Sequence, residues 1–583
     1  MRKYWLVTNR DAHPPELIQP VFTDRNFRVF AQSNDVKSFN LKGTEIIILV
    51  DGYVIPVLSV FQEYINQYQE DLIFSLYTKY GPEFINYVKG NFSILIAEKD
   101  RFLVYNDHLG IRKIFYSDKN DILLITNNFK YAASLLELSP SPEHIAIHSL
   151  VHHFVAGITF SKELYYTRQS TVLEFSQLSG LKKRNYWDIS NLLHSGINKI
   201  SMSDLKDYLN EIILSYVQYF KPQNLCLTLT GGMDSRLILA ILLDNNIKPG
   251  TYTYGNPGSG DTMIAGKISE LFGLDFYNHY KADPDSKWFE ALCDEILEAG
   301  DSITHFHRAF RLAGIKSELS ARPGTDMIFG GFMGGEGIKG VHYDDLIITR
   351  FTRTYNPDSK NKKALISGFL DNYFTEQRDL SYDYIIDFID RLPWYGKDKK
   401  ANEFFLNFIL NASNHLAQDI NFYHIHFPRF INPYMDIDYL GFLFKSPFNM
   451  LHKDNTSANQ LRRLEIPGFH CKAIKMTNKK LAEIPFSSGF SPDDYLFNKY
   501  YYAIKRGIHK RMNKKYLPHF TYGYWYLQFI RNEFEKIQPS INQFYDLALA
   551  CKQLLSDKPG IEEKYWHRFT NIVMIDKMIN FYK

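Results

Sequence analysis

An apolar run, Leu225-Cys226-Leu227-Thr228-Leu229, gives way to Thr230-Gly231-Gly232-Met233-Asp234-Ser235, and a second apolar run begins at Leu237. The first run predicts a buried strand and the second a helix, so the residues between them form a bend at a helix N-terminus. The free N–H groups and positive dipole end of such a helix attract an anion. Glycine lets backbone approach phosphate oxygens where a Cβ would clash. The hydroxyls of Thr230 and Ser235 add donors. Asp234 offers a carboxylate to Mg²⁺, which takes oxygen ligands shared with phosphates. The Gly-Lys-Ser/Thr ending of a P-loop is absent.

The bend resembles the Ser-Gly-Gly-x-Asp-Ser pyrophosphate loop of the ATP pyrophosphatases, with Thr230 for the first Ser. That resemblance implies ATP and Mg²⁺ as ligands, cleavage between the α- and β-phosphates, and transfer of AMP to a substrate. Further segments are similar to asparagine synthetases in the same order. Gly90-Asn91-Phe92-Ser93-Ile94, then 106–116 (Asn-Asp-His-Leu-Gly-Ile-Arg-Lys-Ile-Phe-Tyr), resembles the Gly-Asp-Phe-Ala-Phe and Arg-Asp-x-x-Gly-x-x-Pro-Leu-Tyr of their class II glutamine amidotransferase domain. Tyr186-Trp187 stands where that family carries Tyr-Trp ahead of its synthetase domain. Tyr254 and Gly255 match a strand end that contacts adenine, and Asp261 and Ala265 match the positions that follow it. The segment 326–337 resembles Leu-Ser-Gly-Glu-Gly-Ala-Asp-Glu, which implies that Gly330 lies near ATP. Pro433-Tyr434-Met435-Asp436 resembles Pro-Phe-Leu-Asp, placing Asp436 in the substrate cleft, although Asp also suits a helix N-cap there.

The departures from that family bear on chemistry. Its glutaminase nucleophile is a cysteine at position 2, where this chain has Arg2, so glutamine hydrolysis is not expected. Anchoring on Gly330 puts Gly331 at the family's Glu and Gly334-Gly335 at its Asp-Glu pair, removing both functional carboxylates. Glu336, one residue on, is the candidate second Mg²⁺ ligand beside Asp234, or else a solvated loop carboxylate. Ser487 stands at the position of a lysine that stabilises charge on the adenylation transition state. Lys472, Lys475, Lys479 or Lys480 could substitute, and sequence does not choose among them; Asp436 and Lys479 are the catalytic candidates.

The elements that must position these residues follow from periodicity. Residues 1–190 alternate short apolar runs such as 45–50 and 92–97 with turn residues, predicting layered β-sheets with helices near 60–69 and 72–80. After the bend, helix and strand alternate: helices at 237–243 and 265–271, strands at 249–254 and 275–280. That pitch predicts a parallel sheet with ligands at the carboxyl ends of its strands. An apolar helix is expected at 440–444. From about Asp493 the pattern is helical. Lys505, Arg506, Lys510, Arg511, Lys514 and Lys515 crowd together there with Tyr501, Tyr502 and Tyr516, as an RNA- or acidic-peptide-binding run or a solvated helix face. The stretches 356–363 and 396–401 are polar loops.

Bulk properties set bounds. The chain has 583 residues, a formal charge of +3 and only four cysteines, Cys226, Cys293, Cys471 and Cys551, without Cys-x-x-Cys spacing. No zinc or disulfide framework is indicated. The pairs His305/His307 and His424/His426 lack a third ligand at sensible spacing and read as core or surface. No apolar run reaches the roughly 18 residues of a membrane span, and the first ten residues are too polar for a signal peptide. A reduced, cytoplasmic protein is expected, without membrane or nucleic-acid partners, acting alone, as a homodimer or with a companion protein.

The fold class expected is α/β: an Ntn-hydrolase-like layered sheet domain over 1–192, an ATP-pyrophosphatase (adenine nucleotide α-hydrolase-like) parallel-sheet domain over 200–490, and a helical extension over 491–583. The function expected is an asparagine synthetase-like ligase or cyclase that adenylates the carboxylate of a small molecule or peptide without hydrolysing glutamine. In lacking the glutaminase cysteine the chain resembles the β-lactam synthetases and lasso-peptide cyclases of that family. The rivals are a non-catalytic nucleotide-binding scaffold and a tRNA-modifying ATP pyrophosphatase.

Overall fold

The structure, a computed structural model, describes residues 3–10, 13–17, 19–32, 36–117, 122–299, 305–339, 351, 354–370, 380–392, 402, 404–452, 467–512, 517, 524–556 and 566–582. Arg2, the loop 396–401, Lys514, Lys515 and Tyr516 lie outside them, as do the side chains of His307 and Lys510.

The first third builds two six-stranded sheets. One runs, edge to edge, Tyr165–Tyr166, Phe115–Ser117, Leu124–Thr126, Trp5–Thr8, Arg28–Ala31, Pro20–Thr23. The other runs Gly180–Asn185, Thr171–Ser176, Arg101–Asn106, Val88–Glu98, Thr44–Pro56, Lys37–Leu41. All neighbours are antiparallel. Period-two alternation decides which side chains fill which layer. Ile47, Leu49, Leu95 and Ala97 meet Trp5, Val7 and Val29 between the sheets. Their neighbours Ile46, Ile48, Ile94 and Ile96 turn outward under the helix Gln69–Tyr80, against Leu72, Ile73 and Leu76. On the far side, Leu6, Phe30 and Leu124 pack with Phe129 and Ile145 of the helices Phe129–Leu135 and Pro142–Val151. The first third is therefore layered helix, sheet, sheet, helix. The second expected helix forms, while 60–69 yields only a short helical turn, Phe61–Tyr64.

Beyond the long helix Met202–Phe220 lies a five-stranded sheet whose every pairing is parallel. Its order is Phe276–His279, Gly250–Tyr254, Leu225–Thr228, Met327–Phe329, Phe430–Ile431. The chain starts at the centre, steps outward on one side for two strands, then returns to build the other. Connections leaving the centre in opposite directions open a crevice at the strands' carboxyl ends, between Leu225–Thr228 and Met327–Phe329. Both glycine turns follow these two strands. The expected elements after the bend are present as Asp234–Asp244, Gly250–Tyr254, Gly260–Phe272 and Phe276–His279, and the later helix as Ile437–Phe444. The strand Phe430–Ile431 and the π-helical stretch Leu406–Leu416 were not foreseen. The tail is helical, and its Ile575 and Tyr582 share one continuous core with Leu6, Leu227 and Leu440.

Two buried polar clusters join the layered sheets to the rest. Lys89, fully buried, lies 2.9 Å from a carboxylate oxygen of both Asp436 and Asp438. Burial alone would lower the lysine's pKa, but the two carboxylates outweigh it and hold it above its usual value. Asp436 also accepts from the Tyr216 hydroxyl, and Asp438 from the backbone N–H of Leu58. Beside this pair a void of about 10 Å³, room for roughly one water, is lined by Tyr53, Gly90, Asn91, His108 and Asp436 among others. The motif segment 106–116 contributes Lys113, which donates to the carbonyl of Ser413, and Ile111, whose carbonyl accepts from Asn421. In the second cluster the rings of His148, His152 and His153 gather around His305, and His153 also meets His415. Arg308 pairs with Asp419 and contacts His415, and Gln418 bonds His153 and the backbone of His305.

Removing one partner of a buried ion pair strands the other charge, at a cost of about 3–5 kcal/mol. Lys89→Met is expected to lower the unfolding free energy by about that amount in urea titrations, and Asp436→Asn added to it to recover part of the loss. A loss below about 1 kcal/mol would show the pair to be dispensable.

The histidines give a pH signature. Burial depresses His148 to about 3, and burial with the charges of Arg308 and Lys113 depresses His153 to about 3. The unfolded chain therefore binds more protons than the folded one between about pH 6.5 and 3, and stability falls as pH drops through that window. His148→Phe is expected to be about 1 kcal/mol less destabilised than the parent between pH 7.5 and 5.5. Equal acid sensitivity in thermal melts would place the lability elsewhere.

Candidate functional site

The bend sits as its sequence foretold, at the carboxyl end of the central strand and the start of the helix Asp234–Asp244. Hydroxyls shape it from inside. Thr230 Oγ1 accepts from the Gly232 N–H at 3.2 Å, and Ser235 Oγ accepts from the Thr230 N–H at 3.2 Å. No side chain caps the helix at Met233. The two glycines do different work. A Cβ on Gly231 would stand 2.8 Å from Asp261 Oδ1 and 2.9 Å from Ser487 Cβ, so protein fills the space beside it. Gly232 meets only the bend's own Thr230 hydroxyl. Close approach to a ligand is thus available at Gly232, while Gly231 is required by its neighbours.

The second glycine turn closes on the first. A Cβ on Gly331 would lie 3.0 Å from the Ser235 backbone nitrogen, and one on Gly334 2.7 Å from Asp234 Cβ. Gly330 is buried deeper, against Phe430 and Asn432, with its N–H donated to the Ile431 carbonyl. Between these glycines Met333 holds a left-handed φ of 66°, costly for a side-chain-bearing residue, with its side chain buried. Glu336 is half-buried at the start of the short helix Glu336–Lys339. Tyr254 and Gly255 end the neighbouring strand. The Gly255 N–H is donated to His279, and its φ of 135° is one that glycine tolerates.

The motif at 433–436 reaches the bend through a different residue from the one expected. Tyr434 donates its hydroxyl to the Asp234 carbonyl at 2.9 Å. Asp436 is instead turned to the interior junction: it caps the helix Ile437–Phe444 through the N–H groups of Asp438 and Tyr439, and its other oxygen serves Lys89 and Tyr216. Its N-cap reading holds, and it lines the water-sized void. The physical reason is burial: an ionised carboxylate packed this deep is held by the cation and hydroxyl beside it.

Ser487 does meet the bend, its N–H donated to the Gly231 carbonyl at 3.1 Å. The lysines proposed in its stead do not arrive with it. Lys479 opens a surface helix, Lys479–Glu483, and is exposed, as are Lys472 and Lys480; Lys475 pairs with Asp493. Arg236 faces away from the bend, donating to the carbonyls of Ile484 and Pro485 and stacking on Phe486. Two histidines come instead. His470, buried on the helix Gly468–Thr477, places Nε2 3.1 Å from Asp234 Oδ1. His509, from the tail helix Lys499–Met512, has Nε2 3.2 Å from the Ser487 carbonyl, its ring filling the space a side chain on Gly489 would need. Neither histidine stands in a motif, and Tyr434 lies within one where Asp436 is the expected site residue.

The arrangement suits an anion with a divalent ion. Each hydroxyl of the bend accepts a backbone N–H, the two hydroxyls share one hydrogen bond at 3.5 Å so that one proton is left for a ligand, and the uncapped helix start adds its dipole. Asp234 stays 30% exposed. Among the described residues, no group of three or more His, Cys, Asp or Glu side chains converges on a metal position. Mg²⁺ bound through one or two carboxylates and substrate phosphates needs no such cage. His305 and His424 are buried, in keeping with core roles, and the four cysteines are free. No helix among the described residues is long and apolar enough to cross a membrane.

Comparison with known proteins places the chain at a distance from its relatives. No protein-family model matches it. Asparagine synthetase B (glutamine-hydrolyzing) of Escherichia coli is 22% identical over 321 residues, 49% of this chain and 52% of that protein. A probable asparagine synthetase (glutamine-hydrolyzing) of Schizosaccharomyces pombe is 25% identical over 297 residues, 45% of this chain and 48% of that protein. Among solved structures, the NMN synthetase of Francisella tularensis is 14% identical with a TM-score of 0.22, covering 38% of this chain and 97% of that one. The chain spans about half the length of the curated relatives it matches, and its distant sequence similarity is to asparagine synthetases.

Proposed function

We propose that the protein is an ATP-dependent ligase that forms an amide bond by adenylating a substrate carboxylate, with AMP and pyrophosphate released and glutamine not hydrolysed. The observation that carries this reading is the meeting of two glycine turns on Asp234 at the switch point of the parallel sheet. Bound Mg·ATP would supply the electrophilic α-phosphate and the pyrophosphate leaving group. Thr230, Gly232 and Ser235 would hold phosphate oxygens through the bend's hydroxyls and N–H groups. Asp234 and Glu336 would carry Mg²⁺, with Asp234 oriented by His470 as outer partners orient metal-bound carboxylates. Tyr254 and Gly255 would border the adenine. The carboxylate comes from a small molecule or peptide. Its amine partner is not ammonia from glutamine, since every cysteine of the chain lies at or beyond Cys226, outside the layered sheets. An amine carried by the same substrate would profit from proximity.

A second reading has its own support. By the resemblance to asparagine synthetases, Gly331, Gly334 and Gly335 stand at carboxylate positions and Ser487 at a lysine position, which suits a nucleotide-binding scaffold without turnover.

Incubation with Mg·ATP and a panel of carboxylates is expected to release AMP and pyrophosphate in equal amounts, and Asp234→Asn to cut the rate by about 100-fold. Tight Mg·ATP binding with no pyrophosphate from any carboxylate would leave the scaffold. Glutamine added alone is expected to yield no glutamate.

The steric fit of the turns makes a separate prediction. Gly334→Ala would drive a methyl into Asp234 and is expected to weaken Mg·ATP binding by about tenfold or more in calorimetry. Exposed Gly368→Ala, with nothing within 4 Å of its Cβ position, is expected to leave binding unchanged. Equal affinity for the two variants would mean that Asp234 is not held by the second turn.

A further inference from the structure

The tail is fastened to both sides of the glycine bend. On one side the helix Lys499–Met512 rests on the turn and short helix of 486–497. Tyr502 is buried against Phe490 and Tyr495, Lys505 pairs with Asp494 at 2.7 Å, and Arg506 donates to the Tyr502 hydroxyl. Two residues of the basic run thus serve to seat the helix. About two turns beyond Tyr502, the His509 ring lies where a Cβ on Gly489 would stand. Its Nε2 is 3.2 Å from the Ser487 carbonyl, which takes an N–H from it.

On the other side Leu517 meets the loop that leaves the strand Gly250–Tyr254. Its N–H is donated to the Gly258 carbonyl at 3.0 Å, it forms a parallel bridge with Ser259, and its side chain stands 3.0 Å from the Cβ position of Gly258. Leu517 is 56% exposed, so the attachment is one of backbone at the surface rather than core packing. Farther on, Trp525 and Phe529 of the helix Tyr524–Lys536 seat on Phe289, in the helix that follows the sheet's edge strand.

These attachments belong to the two walls of the bend. Ser487, under His509, donates its N–H to the Gly231 carbonyl, and its Cβ is 2.9 Å from the Cβ position of Gly231. Ser259, bridged by Leu517, caps the helix Gly260–Phe272, whose Asp261 stands 2.8 Å from that same position. Leu517 follows Met512 by five residues, and five extended residues reach at most about 18 Å, so the chain itself limits how far the walls can part.

We propose that the tail is a clasp on the nucleotide site, with His509 and Leu517 as positioning residues: by bridging the walls it holds Asp261 and Ser487 against Gly231 and slows the release of bound nucleotide. The proposal rests on the nucleotide-binding part of the ligase reading. A preformed site loses less freedom on binding, and the gain falls mainly on the dissociation rate. The test follows a fluorescent methylanthraniloyl-ATP with Mg²⁺ by stopped flow on the full chain. His509→Ala removes one donor and Leu517→Pro the other, and each is expected to speed dissociation about fivefold, the worth of about one hydrogen bond. His509→Gln, which keeps a donor, should recover part of the loss, and Ile508→Ser, at an exposed position of the same helix, should change nothing. Because one chain joins both attachments, releasing either end opens the clasp, so the double variant should be about as fast as the single ones. Additive effects of the two substitutions, or unchanged dissociation in both, would overturn the clasp. Hydrogen exchange without nucleotide separates it from the nucleotide reading: the amides of 258–261 and 487–490 are expected to exchange faster together in either variant. Coupled exchange with no nucleotide bound by the parent removes the ligase reading and the clasp's role with it. Nucleotide binding with exchange rising only at the released end removes the clasp alone.

Discussion

The close approach of Gly334 to Asp234 is the contact on which the rest of the candidate site depends. Two parallel strands at the centre of a sheet bring their carboxyl ends side by side, and whatever follows them must share a small volume. Here both successors are glycine turns, and the space left by missing side chains is filled by the other turn or by Asp261 and Ser487. A carboxylate at Gly334 could not be accommodated without moving Asp234. The absence of acids from 330–335 and the tight packing of Asp234 are thus two sides of one constraint. The Met333 backbone, held left-handed by a buried side chain, keeps the turn in that posture.

The layered sheets are tied to this centre through charge. Lys89 belongs to a strand of the first third, and its two partners stand just beyond Tyr434, whose hydroxyl holds the bend. A single turn and helix start, 433–438, therefore faces the bend with one residue and the junction with two others. The sandwich contributes no cysteine, but it fixes the orientation of the segment that supports the bend.

Local features were the most legible ones. The bend, its strand and its helix are contiguous, so apolar runs and turn residues sufficed to place them. The layered sheets announced themselves by period-two alternation at 45–50 and 92–97. Phe430–Ile431 was too short to carry a period, and it exists as a strand only because Met327–Phe329 offers an edge. Within 433–436 it is Tyr434 whose hydroxyl reaches the bend, while Asp436 caps the next helix. Adjacent residues in a 3₁₀ turn point in different directions, and the side chain that reaches the bend is set by tertiary packing. His470 and His509 come from helices remote in the chain, and nothing in their own neighbourhoods signals a role. Lys472, Lys479 and Lys480 are exposed on their helices and Lys475 is paired with Asp493, a difference in direction that sequence position does not carry.

Electrostatics then narrows what the site can accept. Around the bend stand Asp234 and Asp261, two histidines, and an arginine turned inward, an acidic balance for the place proposed to hold phosphates. Such a balance favours a phosphate that arrives with its own cation, because Mg²⁺ neutralises both the ligand and Asp234 at once.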